Sequence, residues 1–114
     1  MSTLRVNSLL NAAGTATPAI DGLAKAWVSF NGTGTVAIRE QFNVSSITDN
    51  GTGDYTVNFT TEMPDNNYAI STSYGTTAGS IALNSPLTTS VDIRTYSSAD
   101  AAVDRSSIGI AVFR

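Results

Sequence analysis

The loop Asp49-Asn50-Gly51-Thr52-Gly53-Asp54 sets two carboxylates and an amide around two glycines. Alternating oxygen ligands around a glycine are how a calcium loop begins, but such a loop closes on a bidentate Glu, and none follows here. Hairpin punctuation explains the same residues without a metal. Glu62 and Asp65 could imitate a glycosidase dyad, which needs two acids facing each other across a cleft. Both flank Met63-Pro64, a turn where acidic residues are ordinarily solvated. Serines are plentiful, yet the chain has no histidine and no cysteine. The commonest general base, thiolate chemistry, disulfides and Cys-based metal sites are therefore missing together. Lys25, the single lysine, would have to serve as base to a serine or form an isopeptide bond with an asparagine. These residues predict no catalytic group, no cofactor and no resident metal. Asn31, Asn43, Asn50 and Asn58 match N-x-[ST]. In a chain so rich in Asn, Ser and Thr, and with Asn43 and Asn58 expected inside strands, that is chance rather than glycosylation.

The tyrosines offer binding rather than chemistry. Tyr55 alternates with Val57 and Phe59, which predicts a core position, and Tyr68 and Tyr74 share the parity of Ile70. Tyr96 shares a face with Asp92 and Arg94, opposite Val91 and Ile93. An aromatic ring among polar groups suits carbohydrate or protein recognition.

The elements that must position these groups are strands. From Phe42 to Thr60 two alternating runs flank the Asp49–Asp54 link, the pattern of a hairpin with one buried and one wet face. The spacing predicts strands over Ala26–Asn31, Thr35–Arg39, Phe42–Ile47, Tyr55–Thr61, Tyr68–Gly75, Ser80–Leu83, Val91–Tyr96 and Ile108–Phe113, separated by Gly, Asn, Asp and Pro clusters. Short strands at this spacing predict an all-β, antiparallel β-sandwich of jelly-roll-like type. Ser97–Asp104 is the one stretch of the domain that could be helical, a loop being equally compatible. Residues 1–22 lack a clean period and read as an extended arm, with Leu4, Val6, Leu9 and Leu10 as anchors that dock elsewhere. Residues 23–114 form the domain.

Two of these strands are apolar on both faces. Trp27 opposes Ala26, Val28 and Phe30, while Gly109, Ala111 and Phe113 oppose Ile108, Ile110 and Val112. A sandwich strand needs one apolar face, so the second must be covered by an arm or a neighbouring subunit. Trp27 and Phe113 are the expected subunit seam. Charged residues are only 13% of the chain and the net charge is −3, so hydroxyls and amides carry solubility. The few cations are scattered singly, which argues against nucleic acid as a partner. No apolar run is long enough to span a bilayer, and the start of the chain makes a poor signal peptide.

Ala26-Trp-Val-Ser-Phe-Asn-Gly-Thr-Gly-Thr35, Ile38-Arg39, the Phe42–Thr60 hairpin, Met63-Pro64, Tyr68 and the final Ala111-Val-Phe-Arg114 together resemble tail-fibre and related virion proteins of tailed bacteriophages, including those of cyanobacteria. Ser2-Thr-Leu-Arg-Val-Asn-Ser-Leu9 also resembles the start of such proteins. The resemblance covers roughly half the chain. It implies a trimeric, mostly β, non-enzymatic virion component that attaches to the tail or baseplate by its N-terminal part and presents the rest outward. The chain departs from the family in having no long shaft between arm and domain, which favours a short fibre. A decoration protein on capsid or neck, and a stand-alone glycan-binding module, are the rival expectations. Specificity would sit in the loops, so Thr76, Thr77 and Tyr96 are the candidate contacts with host-surface glycan.

Overall fold

The structure is a computed structural model that describes residues 23–75 and 78–114. Among them eight strands form two antiparallel sheets: β1 (Ala24–Asn31), β2 (Ala37–Phe42), β3 (Val44–Gly51), β4 (Asp54–Phe59), β5 (Ala69–Tyr74), β6 (Gly79–Asn84), β7 (Ser90–Ser97) and β8 (Ile108–Phe113). Sheet A runs β2-β1-β8-β5 and sheet B runs β3-β4-β7-β6. The two are layers of one sandwich. The connections β1–β2, β3–β4 and β6–β7 stay within a sheet, and the others cross between sheets. The described residues contain no helix: Ser97–Asp104 is a turn followed by a single bridge from Tyr96 to Ala102.

Alternation decides what is inside. Ala26, Val28, Phe30, Ile108, Ile110 and Val112 of sheet A meet Val44, Tyr55, Val57, Val91 and Ile93 of sheet B in one buried cluster. Phe30 and Tyr55 meet edge to face across the layers, with ring centroids 5.4 Å apart. Phe59 and Tyr68 repeat the arrangement at the other end, at 5.9 Å.

Most strand boundaries shift by one to four residues from the expectation, with the most consequence at β2 and β3. β2 begins at Ala37 rather than Thr35 and continues to Phe42, while β3 begins only at Val44. Asn43 therefore lies between strands, not within one, and has φ of 57°. Asn is one of the few residues that tolerates this left-handed region. Its amide closes the corner: Nδ2 donates to the carbonyls of Lys25 and Thr61, and Oδ1 accepts from Thr61 N–H at 2.7 Å. Asn58, by contrast, lies in β4 as expected.

Strand pairing gives the molecule two distinct ends. Residue 23, where residues 1–22 join, sits beside the end of β8, because Ala24 pairs with Phe113. The β2–β3 corner, the β4–β5 link and the β6–β7 link share that end. The β1–β2, β3–β4, β5–β6 and β7–β8 loops gather at the opposite end.

Candidate functional site

The loop end is held by a hydroxyl and a guanidinium. Tyr55, fully buried, places its phenol oxygen 2.8 Å from the Gly32 carbonyl and 2.9 Å from Asp104 Oδ1, sharing one proton between them. Burial, reinforced by Asp104, pushes the hydroxyl above the usual tyrosine range. Asp104 Oδ1 also accepts from Gly53 N–H at 2.8 Å, so one carboxylate ties the β3–β4 hairpin to the β7–β8 loop. That hairpin must turn tightly: Gly53 has φ of 65°, and a Cβ there would stand 2.6 Å from the Thr95 carbonyl. Only glycine meets both demands. Gly32 is tight for a second reason, since a Cβ would lie 2.5 Å from the Tyr55 oxygen.

Arg105 is buried against this platform, its guanidinium carbon 4.7 Å from the centre of the Tyr74 ring. Such a stack favours a planar cation. Nη2 donates to the carbonyls of Ala78 and Tyr96, at 3.1 and 2.8 Å, and the Tyr74 hydroxyl donates to the Gly79 carbonyl. Gly32 N–H in turn donates to the Arg105 carbonyl at 2.8 Å. Three loops therefore converge on one residue, two of them through its side chain or its own segment and the β1–β2 loop through its carbonyl. Between them lies a cleft of about 280 Å³ lined by Thr33, Ser97, Ser98, Ser106, Asp104 and Arg105, over Gly75, Ala78 and Val103. Hydroxyls, a carboxylate and a guanidinium over a small apolar floor can exchange hydrogen bonds with a polyol.

Tyr96 is half-buried at the top of β7, facing Ser80 across the strand pair. Its neighbours on the outer face of sheet B are polar. Arg94 Nε approaches Asp92 at 3.5 Å and Asp54 at 3.7 Å, and Asn84 Nδ2 donates to Asp92 Oδ2 at 3.0 Å. Further along the face Asn58 donates to Ser46 and Thr48, and Asn50 donates to Thr56. Most polar side chains of this face bond to one another, while Asp92 Oδ1 is buried without a partner.

The outer face of sheet A is its opposite in character. It carries exposed Trp27 and Phe42 and half-buried Phe113, with Leu23 exposed just before β1. Trp27 and Phe113 thus share one face because β1 and β8 are neighbours. Phe42 joins them and was not foreseen, because the expected β2 stopped at Arg39. Its pairing with Trp27 is set by a bulge between Ser29 and Phe30, an irregularity that alternation does not encode.

The Asp49–Asp54 link is a hairpin, with Asp49 Oδ1 accepting from Gly51 N–H at 3.1 Å. Asp65 forms a two-pronged ion pair with Arg114, which engages both of its carboxylate oxygens. Leu4, Val6, Leu9, Leu10, Thr76 and Thr77 lie outside the described residues. Asp104 and Arg105 were not singled out in the sequence. Their segment shows no period, and the only available signal was a lone arginine beside an aspartate in a stretch whose one other charge is Asp100. Comparison with protein-family models, curated proteins and solved structures finds no match.

Proposed function

We propose that this chain is a non-enzymatic structural protein of a tailed-phage virion, a short trimeric tail-fibre subunit. Residues 1–22 dock on a tail or baseplate protein, and the loop end faces the host surface. The observation that carries this reading is the polarity of the fold. Residues 1–22 join at one end, while the β1–β2 and β7–β8 loops, with Gly75 and Ala78, close the other around the Asp104–Arg105 cleft. The resemblance in Trp27–Thr35 and the Phe42–Thr60 hairpin points the same way, as does the apolar outer face of sheet A, which needs a cover. Binding is the whole mechanism: three copies on one axis turn weak contacts with surface glycan into firm adhesion through effective concentration.

Immunogold labelling of virions that encode the chain, with antibody raised against residues of the β1–β2 and β7–β8 loops, tests the reading. Label at the tail tip is expected. Label over the capsid shell would make the chain a decoration protein instead.

A further inference from the structure

The chain holds two Asn-Gly pairs, Asn31-Gly32 at the β1–β2 turn and Asn50-Gly51 at the β3–β4 turn. In such a pair the glycine nitrogen can attack the asparagine side-chain carbon, since glycine brings no Cβ to hinder the approach. Whether it does depends on a nitrogen that can turn to the carbon and on room for the ring that forms. The fold treats the two pairs oppositely. Gly32 is buried, and its N–H donates to the Arg105 carbonyl at 2.8 Å. A Cβ there would lie 2.5 Å from the Tyr55 oxygen, so the space beside it is filled. Asn31 Oδ1 is held as well, accepting from the Thr33 N–H and hydroxyl at 3.0 and 2.7 Å. Gly51 is exposed, with nothing within 4 Å of where a Cβ would stand. Its N–H donates at the surface to Asp49 Oδ1 at 3.1 Å. Asn50 is the extra residue of a bulge: Asp49 pairs with Tyr55 and Gly51 with Asp54, which leaves Asn50 outside the register. The bonds that Asn50 Nδ2 makes, 2.8 Å to Thr56 Oγ1 and 3.4 Å to Asp54 Oδ1, are exposed and hold the group that would leave, not the carbon attacked.

We propose that Asn50 is a self-modification site, at which the folded chain loses ammonia while Asn31 is protected. The Gly51 nitrogen forms a bond to Asn50 Cγ and the Cγ–Nδ2 bond breaks. The proton of the Gly51 N–H leaves with Nδ2 as ammonia, and a succinimide remains. Water then adds at either ring carbonyl and opens it, giving an aspartate or an isoaspartate at position 50. Either product replaces the amide that donates to Asp54 and Thr56 with a carboxylate, set beside Asp49 and Asp54. An isoaspartate also lengthens the backbone of the hairpin that Asp104 ties to the β7–β8 loop through Gly53. The change therefore reaches the loop end, whatever that end binds, and the site stands apart from the virion reading.

Trypsin cuts after Lys25, Arg39 and Arg94, so Asn31 falls in peptide 26–39 and Asn50 in peptide 40–94. The folded full-length chain, aged at mildly alkaline pH and digested, is read by peptide mass spectrometry. Fragment ions are expected to place a gain of about one dalton at position 50, and an isoaspartyl methyltransferase is expected to label the same peptide. Peptide 26–39 is expected to convert at least about tenfold more slowly, since a buried hydrogen bond must first be given up. In urea, where the burial of Gly32 and its bond to Arg105 are lost, the two pairs are expected to convert at similar rates. Asn50→Gln lengthens the side chain past easy ring closure and is expected to abolish the gain at position 50 with the circular-dichroism spectrum unchanged. Equal rates at the two pairs in the folded chain would overturn the proposal. So would a position 50 that stays intact in the folded chain over the time in which the urea-treated chain converts.

Discussion

Asp54 and Asp65 have the same side chain in opposite electrostatic settings. Arg114 grips both oxygens of Asp65 and holds its carboxyl down at about 2. Asp54 stands against Asp92, and that contact, with burial and repulsion, raises its carboxyl above the usual range even though Arg94 is near. The signs follow by linkage. Asp65 contributes stability above the ordinary carboxylate range and loses it as pH falls from about 4 to about 2. Asp54 does the reverse: it destabilises the fold at neutral pH and is relieved as pH falls through its raised value. Asp54→Asn should therefore raise the melting temperature at pH 7 by about 1–3 °C, in keeping with a surface charge contact. The gain should vanish below about pH 4. Asp65→Asn should lower it at pH 7 and flatten the acid limb, both read by thermal melts across pH. At this scale the sequence was legible where a residue sat in a period: Tyr55, Val57 and Phe59 were placed in the core by alternation alone. It was silent on Asp104 and Arg105, whose contacts, and the burial of Arg105, come from loops meeting, a condition no local pattern records.

At the scale of elements, all eight strands were legible, since apolar alternation and turn residues both act locally. Their ends were less so. The β2–β3 corner depends on Asn43 adopting φ of 57° and on its amide bonding to Lys25 and Thr61, residues distant in sequence. Asn43→Ala loses those bonds and adds left-handed strain, whereas Asn43→Gly loses the bonds but accepts the backbone. Chemical denaturation should show both destabilised by about 1–2 kcal/mol through the lost hydrogen bonds. Alanine should be worse than glycine by about 0.5–1 kcal/mol. Equal losses would mean that the side chain alone closes the corner. The Trp27–Phe42 pairing was hidden for a related reason: a bulge in β1–β2 pairing shifts which residue faces out, and bulges are set by tertiary fit.

At the scale of the molecule, one asymmetry organises the account. Sheet B turns a self-bonded polar face outward, and sheet A turns out aromatic rings and small residues. The sequence already showed β1 and β8 to be apolar on both faces. It could not show that they adjoin, which merges two apolar faces into one. The ends are equally unlike, with residues 1–22 joining at one and the loop cleft at the other, so the proposed assembly along the strand direction would separate attachment from recognition. The central claim is that three copies share this axis, and native mass spectrometry of the full chain across a dilution series tests it most directly. A single species near 35 kDa that persists on dilution, three times 11.8 kDa, is the predicted result. A species of 11.8 kDa at every concentration would contradict it. The outer face of sheet A would then be free of other copies, and the chain would act as a stand-alone binding module.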